Sequence, residues 1–407
     1  MRISVLVTYF ESMDEPKPKS NIGDLFDSAR LEGRYLKICA PMVRYSKLEF
    51  RNLVRSFDTD LTFTSMIMAD SFCRSEKARQ NEFTTNKVDT PLIVQFAAKN
   101  TVDFLSATEM CYSYVDGVDL NCGCPQRWAM TDGYGSALLK SPELVADMLA
   151  TVRRNFPSTF SVSVKVRLLS KSLKATIDMC RKLESSGITF ITVHGRTPAD
   201  KTNVPVNKDA LKQIKDSLSI PVVANGDIFS LRHADAMHEI TNCDGVMAAR
   251  GILSNPAMFA GYEKTPLECI QKWLNITTEA DTDITFQAMH HHLTFMAESL
   301  LTRQQRVEFN NLSKDKQRVL DFFWREFELQ PQPYDHPHKI ECTFDDTAYR
   351  QRVCVLDTLD EPINITCYQS ENTDGAYFMT KVGESADIQV KEDVDFMDGS
   401  MFDENEI

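Results

Sequence analysis

From Tyr35 onward, short apolar runs bounded by Gly, Pro, Asn or Asp alternate with amphipathic segments of about 10–15 residues, the rhythm of repeated βα units. Eight runs read as strands, at 36–40, 61–66, 92–96, 117–121, 161–167, 190–194, 222–225 and 245–248. Helical patterns follow at 47–56, 101–111, 142–154, 173–185, 208–217 and 231–240, with Leu144, Met148 and Val152 at the spacing of one buried face. Eight strands within about 220 residues is the count and size of a (β/α)8 TIM barrel. Val162, Val164 and Val166 alternate with polar residues, whereas Val222-Val223-Ala224 is uniformly apolar. Both patterns suit strands covered by helices outside and packed side chains within. An open doubly wound sheet is the alternative.

The strand signal stops after Gly261. Segments 267–279, 286–301, 303–312 and 317–329 read as a small all-α helical bundle, with Phe286, Met289, Leu293, Met296 and Leu300 forming one stripe. A Pro-rich stretch at 330–337 marks a linker, 340–368 holds strand-like runs, and 384–407 is an acidic, disordered segment. The expected organisation is a partly disordered leader at 1–33, a barrel at 34–262, a helical domain at 263–330 and an acidic C-terminal tail at 331–407.

Composition sharpens this picture in three places. The chain has 407 residues, 43% hydrophobic and 25% charged, which is ordinary for a soluble globular protein, and no apolar stretch approaches the roughly 20 residues of a membrane span. Its 11 cysteines are odd in number and contain no Cys-x-x-Cys pair. Free thiols in an intracellular compartment, cytoplasmic or nuclear, fit better than a disulfide framework. The net charge of −13 resides in residues 331–407, where 18 acidic residues face five basic ones, leaving 40 of each sign elsewhere. A neutral body can carry a local basic face, so the acidic balance does not exclude nucleic acid.

In such a barrel, reactive groups come from the C-terminal ends of strands. Nearly every predicted end carries a polar side chain or a glycine: Pro41-Met42-Val43, Gln95, Asn121-Cys122-Gly123-Cys124, Lys165, His194-Gly195-Arg196, Asn225-Gly226-Asp227 and Ala249-Arg250-Gly251. The last two follow strands seven and eight, where loops of this fold commonly cradle a phosphate, and Asn255-Pro256 reads as a helix start just beyond. Lys165 alternates with outward valines and so points inward, where its charge needs an anionic partner. Zincin or facial-triad spacing is absent, and His290-His291-His292 reads as a polar helix surface, so no metal is expected.

Ala40-Pro41-Met42, Leu92-Ile-Val-Gln95-Phe, Asp119-Leu-Asn121-Cys-Gly-Cys124-Pro, Val164-Lys165-Val-Arg, Thr192-Val-His194-Gly-Arg196, Ala224-Asn225-Gly-Asp227 and Ala248-Ala249-Arg250-Gly occur in that order. The set resembles the tRNA-dihydrouridine synthases, and Asn-Cys-Gly-Cys-Pro-Gln-Arg-Trp-Ala-Met is similar to the eukaryotic branch acting on uridines 20a and 20b. The likeness spans about 36 to 329, leaving out leader and tail. It implies FMN-dependent reduction of the uridine C5–C6 bond in the tRNA D-loop, with NADPH or NADH as reductant. Hydride would pass from reduced FMN to C6, and a proton from Cys124 to C5. The resemblance assigns FMN contacts to Pro41, Met42, Val43, Gln95, Lys165, His194, Asn225, Gly226, Asp227, Ala249 and Arg250.

An ordinary thiol remains mostly protonated at neutral pH and can serve as that acid. Asn121, Arg127 and Arg196 are candidate substrate contacts, with Trp128 either stacking on RNA or packing internally. Arg303, Arg306, Lys314, Lys316 and Arg318 are candidate cations on the helical domain, and a monomer is expected. Two rivals are a free-pyrimidine flavin oxidoreductase related to dihydroorotate dehydrogenase, and a non-catalytic tRNA-binding protein. The first would need no helical appendage; the second has no use for Cys124, Lys165 and Arg250 together.

Overall fold

The computed structural model describes residues 19–170, 172–278, 282–334 and 337–359. Eight parallel strands close a barrel in sequence order: β1 Leu36–Cys39, β2 Leu61–Met68, β3 Leu92–Ala97, β4 Gly117–Cys122, β5 Ser161–Arg167, β6 Phe190–His194, β7 Val222–Asn225 and β8 Gly245–Ala248. β8 returns to β1 with Leu36 opposite Gly245 and Cys39 opposite Ala248. The helices, in chain order, are α1 Ile22–Leu31, α2 Leu48–Arg55, α3 Ala69–Arg74, α4 Glu76–Glu82, α5 Thr101–Cys111, α6 Arg127–Thr131, α7 Pro142–Asn155, α8 Leu173–Glu184, α9 Lys208–Ser217, α10 Leu231–Thr241, α11 Arg250–Ser254, α12 Leu267–Thr278, α13 Phe286–Ala297, α14 Arg303–Asn310, α15 Lys316–Phe327 and α16 Thr347–Leu359. The predicted closed barrel is therefore the observed one, and the open sheet is not.

Local chemistry explains where several outer helices begin. Side chains of Asn100, Ser172, Asn207 and Ser230 each accept a backbone N–H in the first turn of α5, α8, α9 and α10, satisfying donors that have no partner within the helix. Inside the barrel, period-two alternation stacks Ser163, Lys165 and Arg167 on one face of β5, while Val162, Val164 and Val166 are fully buried on the other.

The leader differs from expectation. Residues 1–18 lie outside the described residues, but α1 buries Ile22, Phe26 and Ala29. The Phe26 ring sits 5.2 Å from that of Phe190 at the start of β6. Asp116, just before β4, accepts the backbone N–H of Ser20 at 2.7 Å. Thus α1 belongs to the N-terminal face of the barrel, opposite the strand ends that carry the polar residues.

The helical appendage is anchored through the histidines read as a polar surface, which the structure corrects. His292 is fully buried, with its ring 4.6 Å from Phe50 of α2 and 4.5 Å from Trp273 of α12. Burial pushes its pKa down to about 3, so it packs as a neutral aromatic ring. His290 is also buried, its Nε2 3.0 Å from the Phe309 carbonyl. The local sequence is polar, but aromatic partners on α2, α12 and α14 make this face a core. Among the described residues, no group of three or more His, Cys, Asp or Glu could hold a metal ion, and no helix is long and apolar enough to cross a membrane.

The segment beyond 331 also departs from its expected form. Instead of strand-like runs, residues 347–359 form α16. Before it, Ile340 donates to the Thr85 carbonyl at 2.9 Å, and the Phe344 ring sits 5.3 Å from Phe72 and 5.6 Å from Tyr114. Tyr349 Oη accepts from Arg74 of α3 at 2.9 Å, and Arg352 pairs with Glu109 of α5 at 2.5 Å. One helical turn carries Tyr349 and Arg352 to neighbouring helices, which an extended run would not do. The remainder, 360–407, lies outside the described residues.

Candidate active site

The C-terminal mouth is built around the end of β4. Asn121 is nearly buried, and its Oδ1 accepts the backbone N–H groups of Gly123 at 3.2 Å and Cys124 at 3.0 Å. This turn separates the two thiols. Cys122 is fully buried in the main core, and burial pushes its pKa well above the usual range. Cys124 is half-buried against an apolar cluster formed with Met66, Met68, Ala97, Ala129 and Tyr134.

The other side of the cysteine loop is held by Gly135. Its φ is +59°, and a Cβ there would lie 2.6 Å from the Cys124 carbonyl oxygen and 2.8 Å from Cys124 Cβ. Only glycine allows both this backbone conformation and this approach. Arg167 fixes the same loop from β5, its Nε donating to the Gly123 carbonyl at 2.8 Å.

Below the loop runs a buried polar chain. Asn121 Nδ2 donates to Gln95 Oε1 at 2.9 Å, and Gln95 Nε2 donates to Asp119 Oδ2 at 2.8 Å. Ser163 donates to the other Asp119 oxygen at 2.7 Å. Asp119 is fully buried, which pushes its pKa up to about 6 against the opposing effects of Ser163, Gln95 and Lys165. Lys165 retains some exposure at the mouth, yet strand walls surround it. Desolvation first, and Arg167 second, bring its pKa down to about 8.

The loops after β6, β7 and β8 form an adjoining cleft lined by Arg167, His194, Arg196, Gly226, Asp227 and Arg250, among others. Arg196 is buried, donates to both Asp227 oxygens at 2.7 Å and binds the Thr202 carbonyl at 2.9 Å. Its guanidinium is thus engaged in shaping the cleft. Arg250 lies 3.5 Å from Asp227 and over the Phe229 ring. His194 is nearly buried, and burial together with Arg167, Lys165, Arg196 and Arg250 holds its pKa well below the usual value. It is a neutral hydrogen-bonding group in a cationic cleft. At Gly226 φ is +119°, and a Cβ would meet Val206 at 2.4 Å, so the chain turns there with its backbone bared.

Asn225 uses its Nδ2 on the Met247 carbonyl at 3.0 Å. Ala249 directly precedes α11 and Arg250 begins it. Asn255 terminates that helix, and residues 256–257 form a turn, so Asn255-Pro256 does not start a regular α-helix; Asn255 instead donates to the Tyr262 carbonyl at 2.6 Å. After β1, Met42 is buried, Pro41 is partly exposed and Val43 is open to solvent at 42%. Arg127 and Trp128 are exposed on α6, with the indole N–H directed to Gln126 Oε1. Sequence reasoning missed Asp119 and Arg167 as individual site residues. Their signal is the period of two: Asp119 is two residues before Asn121, and Arg167 two after Lys165.

The family model described as Dihydrouridine synthase (Dus) matches residues 38–341. The chain belongs to the dihydrouridine synthase family. It is 53% identical over 291 residues to a mouse (Mus musculus) protein named tRNA-dihydrouridine(20a/20b) synthase-like, covering 71% of this chain and 88% of that one. A Schizosaccharomyces pombe tRNA-dihydrouridine(20a/20b) synthase is 43% identical over 274 residues, covering 67% and 83%. Within the dihydrouridine synthase match lie the barrel from Ile38 of β1 onward, the four helices α12–α15 and the beginning of the segment that packs against α3 and α5.

Proposed function

We propose that this chain reduces uridines 20a and 20b of the tRNA D-loop to 5,6-dihydrouridine, as a monomer in the cytoplasm or nucleus, using FMN and NADPH or NADH, with Cys124 as proton donor. The supporting observation is the cysteine loop: a half-buried thiol is fixed through its own backbone N–H to Asn121, which rests on the buried Gln95, beside a partly exposed Lys165.

The residues present fit FMN. The bared backbone at Gly226 and the cations Arg250 and Arg167 suit a phosphate, and Thr192 Oγ1, on the same face of β6 as His194, is buried without a protein partner. Asn225, Gly226, Asp227, Ala249 and Arg250 would hold the phosphate end, with Asp227 acting by orienting Arg196 and Arg250. Pro41, Met42, Val43, Gln95, Lys165 and His194 would surround the ring. Bound FMN supplies a hydride to C6 of the uracil ring.

Charge left on the reduced ring is quenched by a proton from Cys124 Sγ to C5. The apolar cluster of Met66, Met68 and Ala97 keeps bulk water from that proton. Arg127 and Trp128 stand exposed on α6 beside the loop, positioned to meet a nucleotide that has left its stack. Exposed Arg303, Arg306, Lys314, Lys316 and Arg318 lie along α14, α15 and their connection, and Trp324 is 53% exposed on α15, a combination suited to phosphates and an unstacked base.

The deciding experiment is a dihydrouridine map of tRNA treated with purified protein and Cys124→Ala. Product at 20a and 20b with the parent, and at least about a hundredfold less with the variant, is expected for loss of a positioned acid. Parent-rate reduction by Cys124→Ala would remove its role. Turnover of free uracil or orotate without tRNA would favour the free-pyrimidine oxidoreductase.

A further inference from the structure

Asp119 takes no part in the proposed reduction, although it is a fully buried carboxylate at the centre of the site. We infer that Asp119 is a positioning residue whose carboxylate anchors the far end of the Gln95–Asn121 amide chain that ends on the backbone N–H groups of Gly123 and Cys124.

The chain has two unambiguous ends. An ionised carboxylate only accepts hydrogen bonds, and a backbone N–H only donates. Each amide between them has one donating and one accepting end. With Gln95 Nε2 at 2.8 Å from Asp119, Gln95 Oε1 at 2.9 Å from Asn121 Nδ2, and Asn121 Oδ1 at 3.0 Å from Cys124 N, one orientation satisfies every contact. This resolves which way each amide points, a choice that heavy-atom positions alone leave open. It also holds the buried Gln95 amide in one orientation, because it cannot turn over without placing an oxygen against Asp119.

Ser163 complements the device, since its hydroxyl donates to the second carboxylate oxygen at 2.7 Å. Lys165 faces Asp119 from β5 as the opposite charge, Gln95 approaches from β3, and Cys122 of the same strand is kept neutral by burial. Replacing the carboxylate by an amide keeps its size but removes the fixed polarity. Asn at position 119 can present either oxygen or nitrogen to Gln95, because Ser163 can either donate or accept. Protonation of Asp119, whose pKa burial pushes up to about 6, has the same effect. The chain is then directed from the cysteine end alone.

The effect on reaction rests on Cys124 being the proton donor; the geometry does not. The test is Asp119→Asn in the purified holoenzyme. With kcat expressed per bound flavin, KM for tRNA is expected to stay at the parent level while kcat falls about tenfold, consistent with misplacement of a reacting group. Site-resolved mass spectrometry should show the iodoacetamide alkylation rate of Cys124 changed at least about threefold as the loop loosens. Parent kcat together with parent Cys124 alkylation overturns the assignment. If Cys124→Ala proves fully active, the proton-donor reading fails, and the alkylation arm alone decides Asp119.

If Asp119→Asn does not fold, Ser163→Ala decides. Losing one donor to the carboxylate should shift the acid limb of the kcat–pH profile to higher pH. An unmoved limb overturns the proposal.

Discussion

The side-chain oxygen of Asn121 holds the backbone N–H of Cys124 at 3.0 Å, so the next-to-last residue of β4 also fixes where the Cys124 thiol can stand. Asn121→Ala removes both of its hydrogen bonds to the loop. The expected cost is about 1–3 kcal/mol for buried donors left unpaired, measurable by urea unfolding, with a larger proportional loss of kcat than of tRNA affinity. Equal loss of both would show that the turn supports the domain as a whole.

Gly135 makes a sharper test of the same loop. Gly135→Ala adds one methyl group where φ is +59° and the Cys124 carbonyl would be 2.6 Å away. Strain of about 1–3 kcal/mol is expected, shifted in part onto the Cys124 backbone. The variant should lose dihydrouridine formation while its far-UV spectrum stays unchanged. Full activity would mean that the loop relaxes freely.

Lys165 carries a pH signature. Desolvation lowers its pKa from 10.5 to about 8, so the folded, flavin-free protein releases this proton earlier than the unfolded chain. The stability penalty for burying its charge is present below about pH 8 and is relieved as pH rises towards 10.5. FMN affinity should run the opposite way, falling above about pH 8 as the cation is lost. Fluorescence titration would show this slope in the parent and a flat profile in Lys165→Met. A slope unchanged by the substitution would assign it to another group.

The segment beyond the helical domain separates into two parts by truncation. Ending the chain after Leu359 should preserve flavin content and thermal stability. Ending it after Tyr334 strips Phe344 from Phe72 and Phe83 and leaves Arg74 without Tyr349. A loss of about 2–4 kcal/mol is expected from the aromatic contact alone, read as a lower unfolding midpoint. Equal midpoints for the two truncations would show that 337–359 contributes nothing to the fold.

The barrel was legible because eight short apolar runs recur between amphipathic segments and their boundaries are marked by Gly, Asn and Pro. Predicted and observed bounds coincide at β5, β6, β7 and β8. The strand-end polar groups were legible for the same reason. What escaped depends on partners remote in sequence. The ring of His292 is a core element because Phe50 and Trp273 enclose it. Phe26 is buried because Phe190 meets it across the barrel floor. Asp119 gains its significance from Gln95 and Ser163 on two other strands. No local pattern announces such meetings, and the basic and acidic residues around Phe26 and Tyr349 resemble those of a solvated segment.

The contrast between Cys122 and Cys124 makes the mouth chemically addressable. Ten cysteines lie among the described residues without a disulfide, but at the end of β4 one thiol is sealed in the core and the other, just beyond it, is only half-buried. An electrophile sized to a pyrimidine would therefore meet a single nucleophile at this loop. Its attachment would report, residue by residue, whether the pocket is filled, which turns a feature of packing into a tool for trapping the RNA at the moment of recognition.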